Sequence, residues 1–550
     1  MASKHWTELV DEKKKRQTAS IPKEWILTNL PSKDTLNVMD FPEKSGLLDA
    51  KEVEITNSDV DALLEKLATG KWTAVEVTIA FSKRAIIAHQ LVNCLTEIFI
   101  ERAVARAAEL DDHLKRTGRV VGPLHGLPIS LKDQVNIKGL ESTLGYVSWI
   151  GKFADRNAVL ADILEACGAV LYVKTNVPQT LMWIETFNHV FGRTLNPHNR
   201  SLTAGGSSGG EAALIGKSIR IPAAFNGLYG LSPSQRRVPY AGCVNTSEGQ
   251  DSVLSVLGPL SNSLSGIKIF MEAVSSQMAW LKDPLVIRKP WNDEEYQLSD
   301  HGRGGRLCFA ILWHDGVELP HPPIIRALET TKSVLIRAGH NVIDWKPLKH
   351  GEIYKTLVDI WAAGAYEDYH TSVLPSGEPL IQNMSTTAER APFSGPAVRP
   401  FVKAESVTAY QLWQVQRRRT ELRQEYLDHW NSTAAYTGTG RPVDVIISPC
   451  AAHVAPPHGM AKTPSYTMIW NALDYTSLAI PTGLSVDAAL DVKKLPHTFF
   501  TEQDKANYEF YEVEKFRDAP ISIQLIGRNM EEEAIISIGE IVETSLRHFT

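Results

Sequence analysis

The sequence predicts an α/β protein in which one large domain takes up most of the chain. The first observation is the succession of a short strand at 128–132, a helix at 157–167 and a buried strand at 169–173. The second is that strand-type segments return far along the chain, at 444–449 and 520–526. The third is that no internal repeat is visible, so these segments fit one large α/β domain better than a string of small ones.

The region before the first strand is predicted to be helical. Apolar residues recur at helical spacing over 58–67, and a Thr-Ala-Val-Glu capping box opens a second helix at 73–84. An Ala-rich helix is predicted at 101–114. Residues 1–50 are rich in Lys, Pro and Ser and are predicted to form an N-terminal arm with one short helix, which places the main domain at 51–550.

Two further helices are predicted in the second half of the chain. Prolines introduce the first, at 324–338, and the second is a long charged stretch at 406–430. The N-terminal arm also carries a basic run, Lys13 to Arg16, next to two acidic residues. We interpret this run as the solvated face of a helix rather than as a nuclear import or phosphate-binding signal.

Composition excludes several classes of function. A net charge of −6 and a pI near 6.3 argue against non-specific nucleic-acid binding. No apolar run approaches the roughly 18 residues that span a bilayer, and the polar N-terminus lacks a signal-peptide core. Five scattered cysteines fit reduced thiols, and the 17 histidines show no metal-binding spacing. We therefore expect a cytoplasmic protein without metal or cofactor and without a membrane partner, and homo-oligomerisation stays open.

The most informative segment is 205–211, which reads Gly-Gly-Ser-Ser-Gly-Gly-Glu and is followed by Ser218. Glycines let backbone N–H groups crowd around a bound atom and permit dihedral angles that side chains forbid. A hydrolase needs such a loop to hold a hydroxyl nucleophile and an oxyanion. A flexible Gly-Ser linker is the alternative, but a helix-type run at 211–215 follows directly.

Lys132 ends the predicted strand at 128–132. Because side chains alternate along a strand, Ser130 and Lys132 share one face, and Asp133 points away from Lys132. A lysine at a strand end is ordinarily a surface cation. It serves as a base only when it is neutral, so burial must lower its pKa well below the usual value of about 10.4.

Several motifs in register give this chain a family resemblance. The segment 122–133, Gly-Pro-Leu-His-Gly-Leu-Pro-Ile-Ser-Leu-Lys-Asp, resembles the stretch that carries the catalytic lysine of the amidase signature family. Within that family the chain is most similar to fungal acetamidases, by its motifs at 21–25 and 319–324 and by its length. The remaining family landmarks occur in family order at 174–179, 192–197, 205–211, 227–234 and 520–527.

The resemblance implies a fold and a Lys-Ser-Ser catalytic triad. The fold is one large domain with a mixed central β-sheet covered by helices on both faces. In the triad, Ser218 is the nucleophile, Ser207 relays protons, and Lys132 is the base. The implied reaction converts a short-chain, acetamide-like carboxamide to a carboxylate and ammonia through a serine acyl-enzyme.

One part of the family pattern is missing from this chain. The family has a Gly-rich segment, approximately Gly-Val-Gly-Thr-Asp-Ile-Gly-Gly, before its Ser-Ile-Arg motif, whereas here Gly216 and Lys217 lead straight into Ser218. The missing piece resembles a core strand and the loop that forms the oxyanion hole. A misread splice boundary, an impaired amidase and a rearranged but working site all explain it. The alternative function is therefore an impaired or inactive homologue that acts as a binding or scaffold protein.

A nucleotide-binding loop is the other alternative, because Gly216, Lys217 and Ser218 mimic the end of a P-loop. A P-loop has four residues between its first glycine and the Gly-Lys-Ser sequence. Here Gly210 leaves five, and Pro222 would interrupt the phosphate-binding helix. The pattern therefore disfavours nucleotide binding.

We expect the substrate to lie against the serine loop. Gly205, Gly206 and Ser208 are predicted to contact it, and Leu181 and Met182 are candidates for an acyl pocket. A plain core role explains Leu181 and Met182 equally well.

Overall fold

The computed structural model describes residues 4–215, 220–364, 367–384, 405–461 and 464–547. The helices of these ranges are α1 (Trp6–Ala19), α2 (Phe41–Lys44), α3 (Ala50–Asn57), α4 (Val60–Ala68), α5 (Ala74–Val92), α6 (Ile100–Thr117), α7 (Val159–Ala166), α8 (Gly209–Ile215), α9 (Ile221–Phe225), α10 (Leu264–Ser276), α11 (Asp293–Tyr296), α12 (Pro322–Arg337), α13 (His350–Trp361), α14 (Glu367–Val373), α15 (Ala409–Ser432), α16 (Ser465–Leu473), α17 (Glu502–Phe510) and α18 (Glu532–Arg547). The strands are β1 (Leu95–Ile98), β2 (Pro128–Lys132), β3 (Val170–Thr175), β4 (Phe187–Asn188), β5 (Gly192–Arg193), β6 (Tyr229–Ser232), β7 (Leu260–Ser261), β8 (Cys308–Ile311), β9 (Asn341–Asp344), β10 (Val445–Pro449), β11 (Ser477–Ser485) and β12 (Pro520–Ile526).

Local sequence signals place these elements where we expected them. The predicted strand at 128–132 is β2, and the predicted strand at 520–526 is β12. The capping box is present, because the Thr73 side chain accepts from Glu76 N at 3.1 Å and the Glu76 carboxylate accepts from Thr73 N at 3.0 Å. Such a cap satisfies two backbone donors that the helix itself leaves unpaired. The α/β prediction is confirmed.

Within the described residues, the strands form a seven-stranded sheet, a three-stranded sheet and the short pair β4–β5, rather than one continuous sheet. Seven lie in a mixed sheet of order β7-β6-β11-β12-β10-β8-β9, in which β10, β8 and β9 run parallel. Three form a second sheet of order β1-β3-β2, in which β2 and β3 are parallel. Every residue of β3 is buried, as expected for a central strand.

Helices cover both faces of the larger sheet. The side chain of Gln524 in β12 donates to Tyr466 O of α16 at 2.7 Å, and Ser522 donates to Ala224 O of α9 at 3.3 Å. Because side chains alternate, the neighbouring Ile521, Ile523 and Leu525 face the opposite side, where α12 and α18 pack. The main hydrophobic core lies between these layers.

A cavity of about 460 Å³ separates the ends of the two sheets. The end strands that border it are β2 of the smaller sheet and β7 of the larger one. Helices α4, α5, α7 and α10 contribute apolar side chains to its wall. The cavity therefore borders the end strand of each of these two sheets.

The N-terminal helix α1 is anchored by a buried charge. We expected the basic run at 13–16 to be solvated, and for Lys13 this is wrong. Lys13 is only 2% exposed, and its amine pairs with Glu97 and, at 2.5 Å, with Glu141. Residues 14–16 of the run are exposed. A buried ammonium needs acidic partners. The partners of Lys13 lie more than 80 residues away in the sequence, so the local basic run does not indicate that Lys13 is buried.

The division into an arm at 1–50 and a domain from 51 stays a prediction. In the described ranges, no helix is both long enough and apolar enough to cross a bilayer.

Candidate active site

Strand β2 delivers Lys132 to the serine loop. Lys132 pairs in register with Thr175 of β3, and Asp133 N donates to Thr175 O at 3.1 Å, so the strand end is fixed. Lys132 Nζ lies 2.9 Å from Ser207 Oγ, a hydrogen-bond distance. Burial lowers the pKa of Lys132 to about 7, although the negative charge of Glu211 opposes this change. A substantial fraction of neutral amine is therefore present at neutral pH.

Backbone groups of the serine loop form hydrogen bonds with the segment after β3. Thr186 Oγ1 donates to Gly205 O at 2.9 Å and accepts from Gly209 N at 3.1 Å. Gly210 N donates to Asn176 O at 3.0 Å. These bonds place Ser207 on a fixed backbone at the beginning of α8, which is what a proton relay requires.

Close approach explains why glycine stands at position 206. A Cβ atom there would lie 2.7 Å from Glu185 N and 2.8 Å from Glu185 O, and closer still to Trp183 O. The loop thus packs backbone against backbone beside the predicted acyl-pocket segment. A side chain at position 206 would therefore force the serine loop or the backbone at 183–185 to shift.

Ser208 and Glu211 both border the cavity, as does Lys132. Ser208 is 5% exposed, so it is nearly enclosed. Glu211 accepts a hydrogen bond from Ser130 Oγ and another, at 2.6 Å, from Thr175 Oγ1. The sequence analysis assigned no role to Glu211. An acidic residue directly after the Gly-Ser loop is the sequence feature that could have indicated one.

The third residue of the predicted triad, Ser218, lies outside the described residues. The chain resumes at Arg220, whose guanidinium donates to Thr467 O at 2.8 Å and to Asn471 Oδ1. Burial lowers the pKa of Arg220 to about 10. These contacts anchor the chain that follows Ser218 to α16.

Leu181 and Met182 are both partly buried, and neither lines the cavity. Leu181 packs in a cluster with Leu144 and Tyr146, so it makes the contacts expected of a core residue, which is the alternative to a place in an acyl pocket. The two residues lie just before Trp183, whose carbonyl borders the serine loop. Their assignment as substrate contacts stays a prediction, as do those of Gly205, Gly206 and Ser208.

Sequence reasoning missed two buried carboxyl groups, Glu185, whose backbone packs against Gly206 of the serine loop, and Glu378. Glu185 accepts from Gly459 N and Ala461 N, both at 3.0 Å, and burial raises its pKa to about 7. Glu378 accepts from Gln179 Nε2 at 3.1 Å, and burial also raises its pKa to about 7. No local motif marks either residue, because their partners are distant along the chain. Within the described ranges, no cluster of three or more His, Cys, Asp or Glu side chains forms a metal site.

Comparisons with known proteins cover both sequence and fold. A family model described as Amidase matches residues 76–536. The acetamidase of Emericella nidulans is 41% identical over 551 residues, spanning 98% of this chain and 97% of that protein. The acetamidase of Aspergillus oryzae is 40% identical over 562 residues and the whole of both chains. A solved structure of a fatty acid amide hydrolase superposes with a TM-score of 0.89 at 31% identity, covering 99% of this chain and 95% of that one.

Proposed function

Because this chain belongs to the amidase family and is an amide hydrolase, we propose that it cleaves a small linear carboxamide to a carboxylate and ammonia through a serine acyl-enzyme. The observation that carries the proposal is the 2.9 Å contact between Lys132 Nζ and Ser207 Oγ, with the pKa of Lys132 lowered to about 7. The names of the fungal relatives support an acetamide-like substrate.

In the acylation step, Ser218 Oγ attacks the carbonyl carbon of the amide and gives its proton to Ser207 Oγ. Ser207 passes its own proton to the neutral amine of Lys132. A hydroxyl group suits this relay because it donates and accepts hydrogen bonds at once. The C–O bond forms and the carbonyl π electrons move onto oxygen, which becomes an oxyanion.

Collapse of the tetrahedral intermediate breaks the C–N bond. Lys132 returns its proton through Ser207 to the departing nitrogen, and ammonia leaves. Water then attacks the acyl-Ser218 ester with the same pair as base, which releases the carboxylic acid. The pKa of Lys132 near 7 suits both directions, since the amine must accept a proton and then return it.

The alternative function is a homologue that keeps the fold but has lost turnover. Oxyanion donors matter, because removal of one costs about 10²–10³ in rate. The feature that bears on this alternative is the cavity between β2 and β7, which contacts Lys132. A core strand missing from this position would remove backbone donors from the neighbourhood of the base.

Ammonia release from acetamide, butyramide and benzamide tests the proposal directly. We expect turnover of acetamide, which Lys132→Ala, Ser207→Ala and Ser218→Ala each reduce at least 10³-fold. A fluorophosphonate probe should label the wild type and fail to label Ser218→Ala. Ser333→Ala, at an exposed serine of α12, is the matched control. Absence of both ammonia and labelling would favour the alternative function.

A further inference from the structure

Glu211 connects the element that carries Lys132 with the one that follows Ser207. It lies in α8, four residues after Ser207, and is 6% exposed. One carboxylate oxygen accepts from Ser130, which shares a strand face with Lys132. The other accepts from Thr175, which is the partner of Lys132 across the β2–β3 pair.

The hydroxyl groups of Ser130 and Thr175 thus bind the same carboxylate, and both residues lie close to Lys132 in the sheet. A buried carboxylate is costly unless it is hydrogen-bonded, and here the bonds come from a residue of the strand that carries Lys132 and from the cross-strand partner of Lys132. Glu211 is also the largest favourable influence on the proton affinity of the Lys132 amine, ahead of Asp133 at the end of β2. Arg84 of α5 and Tyr172 of β3 are titratable groups that line the same cavity, and Cys243 is a further neighbour of the amine.

We propose that Glu211 is a positioning residue for the Lys132–Ser207 pair, holding β2 against α8 and placing a negative charge beside the amine. This inference rests on the proposed function for its catalytic meaning. The charge stabilises the protonated lysine that forms when Ser218 loses its proton. The charge also offsets part of the free-energy cost of burying the protonated amine, a cost that would otherwise disfavour proton transfer to Lys132.

Glu211→Gln separates charge from packing. Ser130 and Thr175 both bind Glu211 through hydroxyl groups, which can donate or accept, so a glutamine amide can keep these two hydrogen bonds while it removes the charge. Thr175→Val is the matched variant that removes one hydrogen bond and keeps the charge. Glu211 raises the proton affinity of Lys132, and a nearby opposite charge typically shifts a pKa by about 1–3 units, so we expect the midpoint of the Lys132 titration to fall by about one unit or more in Glu211→Gln.

The titration is read in two ways that do not need turnover. Trace labelling with acetic anhydride across pH 5–10, quantified by peptide mass spectrometry, follows the neutral fraction of Lys132, with the exposed Lys115 as the internal reference. A double-mutant cycle of Glu211→Gln with Lys132→Met, measured by thermal unfolding, should show stronger coupling at pH 6 than at pH 9. In an active enzyme, the acid limb of kcat/KM should move with the labelling midpoint.

A Lys132 labelling midpoint that is lower in Glu211→Gln than in the wild type, and nearly unchanged in Thr175→Val, supports the proposal. An unchanged midpoint together with pH-independent coupling would overturn it, whatever happens to turnover. An equal shift in both variants would also overturn it, since packing alone would then explain the effect. A wild type without ammonia release would remove the proposed function but leave these two measurements intact.

Discussion

Lys132→Met should stabilise the protein at acidic pH and progressively less as the pH rises. The pKa of Lys132 is about 7 in the folded protein and 10.5 without the protein environment, a difference of 3.5 units. At about 1.4 kcal/mol per unit, the buried ammonium costs roughly 5 kcal/mol below pH 7. Between pH 7 and 10.5 the unfolded chain binds more protons, so wild-type stability rises with pH there. Methionine fills similar space and does not titrate.

The expected difference can be worked out at two accessible pH values. The cost of the charged lysine is roughly 5 kcal/mol at pH 6 and roughly 2 kcal/mol at pH 9, a change of about 3 kcal/mol. With an unfolding entropy of about 2.1 cal/mol/K per residue, 550 residues give about 1.2 kcal/mol/K, so the change corresponds to about 2–3 °C in Tm. Loss of the contact with Ser207 lowers Tm equally at both pH values.

The assay is thermal unfolding followed by tryptophan fluorescence at pH 6 and pH 9. The sequence has 13 tryptophans, which report the transition. The quantity of interest is the Tm of Lys132→Met minus that of the wild type, compared between the two pH values. Lys115→Met, at an exposed position of α6, is the matched control and should show no pH dependence. A difference that is the same at pH 6 and pH 9 would refute the argument, because it would mean that Lys132 titrates as an ordinary lysine.

Two further predictions concern the backbone around the site. Gly206→Ala should lower kcat/KM by about 10²-fold and stability by about 1–3 kcal/mol, since its Cβ would press on Glu185 backbone atoms at 2.7 and 2.8 Å. Gly351→Ala is the control, because its Cβ would meet Val317 at an ordinary 3.6 Å; equal losses in the two variants would contradict the packing argument. Arg220→Met should lower the free energy of unfolding by about 2–4 kcal/mol, because buried acceptors in α16 lose their donor. A denaturant midpoint equal to that of the wild type would show that this anchor is dispensable.

Local patterns were sufficient for most helices and strands. The capping box at Thr73, the alternation in β2 and the apolar run of β12 act over a few residues, and each gave the correct element. The burial of Lys13 was missed because its partners, Glu97 and Glu141, come from distant segments. A lysine in an exposed basic run and a lysine in a buried ion pair can have the same local sequence. They differ in whether acidic side chains from distant segments lie beside them.

The sequence by itself determined the α/β class and the segments of the sheets, because these depend on periodicity over a few positions. The resemblance of its motifs to those of a known family indicated Lys132 and Ser207 as candidate residues. Only the tertiary structure decided that the lysine amine lies 2.9 Å from the serine hydroxyl with its pKa near 7, that Glu211 links Ser130 to Thr175, and that a cavity separates β2 from β7. The physical reason is that proton affinity and hydrogen bonding depend on which distant groups share a buried volume, and no single segment of the chain encodes that.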